Sequence, residues 1–295
     1  MRTAIHPRRS VLYMPGANAR ALEKAKTLAA DCLIFDLEDA VAPDAKERAR
    51  QQVVDTICSG GYGKRELIVR VNALTTPWGR DDLAAVAICG PHAVLLPKVE
   101  SGDVVRQTLH ILTEHGAPQD VAIWCMIETP RGVLRAEEIA SASPCVDALV
   151  MGTSDLTKEL QARTTRERLP LLPSLSYCLL VGRVYGLTVL DGVHLDLQDD
   201  EGFMYACRQA ADMGFDGKTL IHPKTITAAN QVFAPSADEV AWSRRIIAAH
   251  AEATAKGQGI VVVDGRLIEN LHVADAQRVV QLAAAIAALE AASAP

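Results

Sequence analysis

The sequence predicts an α/β protein built as a (β/α)8 barrel with a C-terminal helix–hairpin–helix extension. Three observations predict it. Eight short apolar runs alternate with amphipathic stretches along most of the 295 residues, as repeated βα units of a parallel sheet do. The runs are continuously apolar rather than alternating, so both faces of each strand are covered. Each run also ends in polar, chemically loaded residues, and a closed barrel collects all eight carboxyl ends on one face. The competing reading, an open doubly wound sheet, normally opens on a G-x-G-x-x-G turn, and the sequence has none.

The elements follow in order. SVLYMP (10–15) ends on Pro15-Gly16, and a helix follows over 19–30. CLIFDLED (32–39) ends in Asp36, Glu38 and Asp39, and Pro43 and Asp44 open a helix over 43–58 that stops at Gly60. ELIVRVN (66–72) carries Arg70 and Asn72 and precedes a helix over 79–88, ended by Gly90. AVLLPKV (93–99) ends on Pro97-Lys98, and Ser101 starts a helix over 101–115 before Gly116. VAIWCMIET (121–129) ends on Glu128-Thr129, with a helix over 131–141. ALVMGTSD (148–155) ends on Ser154-Asp155, and the next helix spans about 172–185, before Gly186. TVLDGVHLD (188–196) ends on Asp196, followed by a helix over 200–213 and Gly214. KTLIHP (218–223) ends on His222-Pro223, and 224–232 is its helix.

The tail is of another kind. Residues 236–256 read as a helix with Ser236 as N-cap and Asp238 and Glu239 in its first turn. GIVVVDGRLI is a hairpin with Asp264-Gly265 as a type I′ turn signal. An Ala-rich helix covers 273–291. The expected division is a barrel domain over 1–233 and an extension over 234–295, serving as oligomer contact and active-site lid.

Composition excludes several functions. Aromatic residues are 4% of the chain, which does not suit a stacking platform for bases. The formal net charge is −6 and no basic run exists, which argues against nucleic acid and anionic membrane as partners. The seven cysteines are odd in number, widely spaced and free of C-x-x-C, so they read as buried, reduced thiols of a cytoplasmic protein. No apolar h-region follows the first residues, and no apolar stretch approaches the ~18 residues that span a bilayer.

Several strand ends carry candidate chemistry. Glu128 and Asp155 end neighbouring strands, where two carboxylates can share a hard cation such as Mg2+; alternatively each caps the helix that follows. Zinc is disfavoured because no His or Cys pair has ligand spacing. Arg70, in an otherwise apolar strand, needs an anionic partner: a structural pair with Asp36 or Glu38, or a fork gripping a substrate carboxylate or enolate oxygen. Period 2 puts Asp36 and Glu38 on one side, and with Asp39 they need Arg70, Lys98, Arg9 or a metal's water shell nearby. Gly152-Thr153-Ser154 forms either an anion nest or a plain turn before a helix. His222 and His194 read as a general base or as hydrogen-bonded packing residues. The stretch Arg163 to Arg168 binds a nucleotide phosphate or is a solvated helix start.

In combination, SVLYMPG, FDLEDAV, RVN, LLPKVE, IET, GTSDL, DGVHLD and GKTLIHP resemble the citrate lyase β-subunit-like branch of the HpcH/HpaI aldolase superfamily. That branch includes malyl-CoA, β-methylmalyl-CoA and citramalyl-CoA lyases, and the resemblance runs from residue 8 to about 285. It implies a TIM barrel assembled as a homotrimer or hexamer. It implies reversible cleavage of a 3-hydroxyacyl-CoA thioester into acetyl-CoA or propionyl-CoA and a small 2-oxo acid, glyoxylate or pyruvate. Glu128 and Asp155 match the Mg2+ ligands, with Mn2+ as an alternative ion. Arg70 matches the arginine that holds the oxo acid, beside Glu128, Gly152, Thr153 and Ser154. Asp36, Glu38, Asp39 and Lys98 surround that centre, and Arg9 and His222 are expected CoA contacts. In GRLIENLH, Glu269 matches an acid that relatives bring from a neighbouring subunit to the reacting carbon.

Two positions depart from many relatives, which carry an acid at Ser154 and Asp at Glu269. Alternatives on the same scaffold are a malyl-CoA thioesterase and the citryl-acyl-carrier lyase subunit of a citrate lyase. A non-catalytic CoA-ester-binding protein is the alternative of another class.

Overall fold

The computed structural model describes residues 5–293. The described residues divide into two compact units, Arg8–Asn230 and a second formed from 231–293 with 5–7. The sequence predicts this boundary at 233/234.

The first unit is a closed eight-stranded parallel barrel, with β8 returning to β1. Its strands are β1 (Ser10–Pro15), β2 (Cys32–Asp36), β3 (Glu66–Arg70), β4 (Ala93–Leu96), β5 (Ala122–Ile127), β6 (Val146–Met151), β7 (Thr188–Asp191) and β8 (Gly217–Leu220). Its helices are α1 (Ala19–Ala25), α2 (Lys46–Ser59), α3 (Gly79–Cys89), α4 (Gly102–Glu114), α5 (Pro130–Leu134), α6 (Ala136–Ala140), α7 (Thr153–Glu159), α8 (Leu172–Tyr185) and α9 (Asp200–Met213), and α10 (Ile226–Val232) begins in it. All five predicted glycine stops have positive φ, the left-handed end that glycine accepts freely.

The differences from expectation are local. Most apolar runs outlast their strands, because side chains at the carboxyl ends turn the chain away. Asp36 accepts the N–H groups of Glu38 and Ala40 at 2.9 and 3.1 Å, which ends β2 at Asp36. The helix expected over 131–141 is two short ones, α5 and α6, joined at Arg135. The run ALVMGTSD stops being a strand at Met151, and Thr153 begins α7, a helix that the sequence pattern alone does not separate.

Alternate strand residues fill the barrel: Val11, Ile34, Ile68, Leu95, Trp124 and Val150 are fully buried there, with Tyr13 packed against them. At the amino ends of the strands, Arg8 closes the floor. Its guanidinium reaches Glu66 at 2.6 and 2.9 Å, Asp147 at 2.6 Å and Thr188 at 2.7 Å, and lies 4.8 Å from the Trp124 ring centre. The β5–β6 register shifts at Ile123/Trp124 and skips Asp147, as a bulge at a barrel rim does.

In the second unit, α11 (Ala237–Ala255) starts on a capping box between Ser236 and Glu239. The hairpin β9 (Val261–Val263) and β10 (Arg266–Ile268) turns at Asp264 and Gly265, both with positive φ, the type I′ geometry. The last helix, α12 (Asn270–Ser293), begins three residues before the expected start. Ile246, Ile268 and Ala276 form the core, joined by Trp242, Val261 and Val263. Among the described residues, no helix is long and apolar enough to cross a membrane. All seven cysteines are free; Cys32, Cys125, Cys178 and Cys207 are buried, but Cys58 is exposed in the last turn of α2, against the expectation of buried thiols.

Candidate active site

Arg70, the last residue of β3, stands in register with Asp36, the last of β2. Its Nε donates to Asp36 Oδ1 at 2.7 Å and its Nη2 to Oδ2 at 2.6 Å. Its Nη1 lies 2.8 Å from Glu38 Oε2 and 3.4 Å from Asp39 Oδ2. The Tyr13 ring centre is 4.9 Å from the guanidinium carbon, and Met126 Sδ is 3.8 Å from Nη1. Burial works against the Arg70 charge, but the hydrogen bonds to Asp36 and the nearby acids outweigh it and raise the pKa. Sequence reasoning misses Tyr13 and Met126. Both sit at inward positions of apolar runs, and their spacing from Val11 and Trp124 is the signal that marks them as facing Arg70.

Glu128 follows β5 directly and is 2% exposed. Burial pushes its carboxyl up to about 7, and Glu38 and Asp155 push the same way. Its Oε1 accepts the backbone N–H of Lys98 at 2.8 Å. Lys98 holds a left-handed backbone, φ 48°, which is uncommon outside glycine. Gly152 explains why the residue after β6 has no side chain: a Cβ there would lie 2.3 Å from Glu128 Cβ and 2.5 Å from Oε2. Thr153, Ser154 and Asp155 form the first turn of α7, so this segment is a helix start; Thr153 is buried, Ser154 exposed and Asp155 half-buried.

The charge around this centre is unbalanced. Asp36, Glu38, Asp39, Glu128 and Asp155 face Arg70 and Lys98, whose Nζ is 3.7 Å from Glu38. Five carboxyls against two cations suit a bound divalent ion. Among the described residues no cluster of three or more His, Cys, Asp or Glu is arranged around one point. The Glu128–Asp155 pair has the donor chemistry of an ion such as Mg2+, which takes one or two carboxylates and keeps its other positions for water and substrate. A cleft of about 340 Å3 opens beside the centre, lined by Asn72, Leu74, Pro97, Lys98, Thr129 and Glu159 among others.

Two predicted residues are placed elsewhere or otherwise engaged. Arg9 precedes β1 and so lies at the amino ends of the strands, away from the mouth; it is buried and bound to Asp31 through Nε and Nη2, both at 2.9 Å. This corrects the expectation of a CoA contact. Of the stretch 163–168, Arg163 and Arg166 are exposed, whereas Arg168 Nη1 donates to both oxygens of buried Asp191 at 2.8 Å. Glu269 belongs to the second unit, where it is exposed and its N–H donates to His272 Nδ1 at 3.0 Å. His222 does follow a barrel strand, β8, and is exposed; its Nδ1 accepts the Lys224 N–H at 3.1 Å. His194 is half-buried and edge-on to Phe203.

Comparison with known proteins follows the same lines. The profile of the HpcH/HpaI aldolase/citrate lyase family matches residues 9–223. A (3S)-malyl-CoA thioesterase of Cereibacter sphaeroides (strain ATCC 17025) is 49% identical, covering 96% of this chain and 97% of its own. The L-malyl-CoA/β-methylmalyl-CoA lyase of the same strain is 34% identical, with 96% of each chain covered. Among solved structures, protein CitE from Mycobacterium tuberculosis, in complex with magnesium, acetoacetate and coenzyme A, is 32% identical. It superposes with a TM-score of 0.75 over 96% of this chain and all of that one.

Proposed function

The chain belongs to the HpcH/HpaI aldolase/citrate lyase family, and from that premise we propose that it is a Mg2+-dependent enzyme hydrolysing malyl-CoA-type 3-hydroxyacyl-CoA thioesters. The observation that carries hydrolysis is the 49% identity over nearly the full length to a malyl-CoA thioesterase, against 34% to a malyl-CoA lyase. The proposed setting is the cytoplasm, where the free thiols stay reduced, and the proposed assembly is a homo-oligomer, trimer or hexamer.

Glu128 and Asp155 would hold the ion, which when bound supplies a Lewis acid for the substrate's oxygens. Arg70 binds the substrate's acid end or developing oxyanion. Asp36 holds its guanidinium in one plane, so little reorganisation is needed as charge grows. A donor of this kind contributes about 3–4 kcal/mol to the barrier reduction. Tyr13 and Met126 cover the apolar side of the guanidinium and keep water from it. Glu269 is the proposed base. It takes a proton from water as the water oxygen adds to the thioester carbon, and returns one to the departing sulfur as the C–S bond breaks. Malate and CoA thiol result.

The second reading is carbon–carbon cleavage, favoured by the match to the malyl-CoA/β-methylmalyl-CoA lyase. There Glu269 would take the 3-hydroxyl proton as that carbon becomes the oxo acid's carbonyl and its bond to the acyl α-carbon breaks, and would return the proton to the α-carbon. Product analysis separates the two. Purified protein with malyl-CoA and Mg2+ is expected to yield malate and free CoA in equal amounts, with the yield abolished by EDTA. Glyoxylate and acetyl-CoA would move the assignment to the lyase, and no product of either kind would sink both.

A further inference from the structure

Behind the loop that holds Arg70 lies a buried network that the reaction scheme does not use. Lys46, the first residue of α2, is 7% exposed. Its Nζ donates to the carbonyls of Leu37 at 2.8 Å and Glu38 at 2.7 Å, and to Asn72 Oδ1 at 2.7 Å. Asn72 Nδ2 donates to the same Leu37 carbonyl at 2.9 Å and to Asp82 Oδ2 at 2.6 Å. Asp82, fully buried at the start of α3, is held in turn by Arg50 Nε at 2.7 Å. The Lys46 ammonium sits 5.3 Å from the Trp78 ring centre.

Both sides of the 37–40 loop are therefore fixed. Its N–H groups at Glu38 and Ala40 go to Asp36, and that of Leu37 goes to the Arg70 carbonyl at 2.9 Å. Its carbonyls at Leu37 and Glu38 go to Lys46. The loop side chains, Glu38 and Asp39, are two of the three acids around the Arg70 guanidinium. Three acceptors match the three protons of an ammonium, which makes Lys46 fully satisfied and hard to replace.

We propose that Lys46 is a positioning residue for Arg70, acting through the carbonyls of Leu37 and Glu38 to fix where Glu38 and Asp39 hold the guanidinium. Its three ammonium protons go to protein acceptors. The inference rests on the reading of Arg70 as the arginine that meets the developing oxyanion. Lys46→Met keeps the side-chain volume and removes all three donors, so the loop slackens and Arg70 loses its aim.

The test compares wild type, Lys46→Met, and Lys46→Ala with and without added propylamine. Displacement of a positioned group by about 1 Å costs on the order of 100-fold, so kcat of Lys46→Met is expected to fall about 10–100-fold with KM changed by less than about threefold. Propylamine is expected to restore part of the Lys46→Ala loss. A kcat within about twofold of wild type in both variants would overturn the proposal. So would a loss that only follows the unfolded fraction in thermal melts. Backbone amide exchange at Glu38, Ala40 and Val41 gives a readout independent of turnover: it should accelerate in Lys46→Met while the barrel strands stay protected, and unchanged exchange overturns the proposal. If wild type turns over no malyl-CoA, the proposed function fails and amide exchange alone decides the inference. Should Lys46→Met not fold, Lys46→Leu, which likewise lacks a donor, takes its place in both measurements.

Discussion

At the scale of single residues, the site depends on close approaches that tolerate no added atom. Gly152 is the sharpest case, since a methyl there would overlap the Glu128 side chain. Gly152→Ala should cost about 1–3 kcal/mol through overpacking and should displace Glu128 from Asp155. The expected outcome is a lower melting temperature and loss of EDTA-sensitive turnover; a variant with wild-type response to Mg2+ would refute the role given to this glycine. The residue scale is also where the sequence is most and least legible. Asp36, Glu38, Asp39, Arg70, Glu128 and Asp155 stand out because a charged side chain closing an apolar run must meet a partner or a ligand at the barrel mouth. Lys46 does not stand out, because it begins a helix in KERAR like any solvated charge, and its partners include backbone carbonyls that no sequence displays. The misplacement of Arg9 has a physical reason: a residue before a strand lies at the floor by the same rule that puts one after a strand at the mouth.

At the scale of elements, β7 and β8 are joined by a buried ion network. Asp191, the last residue of β7, accepts from Lys218 Nζ at 2.6 Å and from Arg168 at 2.8 Å. Burial pushes the Asp191 carboxyl up, but Lys218 and then Arg168 outweigh it and hold it below the usual range. A carboxyl with a lowered folded pKa adds stability that is present above its unfolded value of about 3.9 and is lost as pH falls through the folded value. Asp191→Asn should therefore destabilise the barrel by about 3–5 kcal/mol near neutral pH, because it strands two buried cations. It should also flatten the acid limb of a plot of melting temperature against pH, and an acid limb parallel to wild type would count against this account. Element boundaries are less legible than element identities. The GTSD stretch continues an apolar run, so the pattern absorbs α7 into strand six, and only the stop at Met151 separates them.

At the scale of the whole molecule, the eight-unit barrel is readable because every unit repeats the same instruction, an apolar run with a polar end followed by an amphipathic helix. The closing contact between β8 and β1 follows from that repetition. What one chain's sequence does not contain is its relation to other copies. The proposed base Glu269 belongs to the second unit and Arg70 to the first, and under the proposed function Glu269 would act either in its own chain or in a neighbouring one. Mixing inactive Arg70→Ala and Glu269→Ala proteins separates these. If Glu269 serves a neighbouring barrel, hybrid oligomers regain part of the wild-type rate, and no recovery after demonstrated subunit exchange assigns the action to a single chain.

The exposed thiol of Cys58 bears on how any such assembly is measured. A preparation left in air can join two chains through Cys58 on the outer wall of the barrel, which gives a covalent pair that survives dilution and mimics a tight dimer. Sizing in the presence of reductant, or of a Cys58→Ser protein, distinguishes the chain's own association from that artefact of handling.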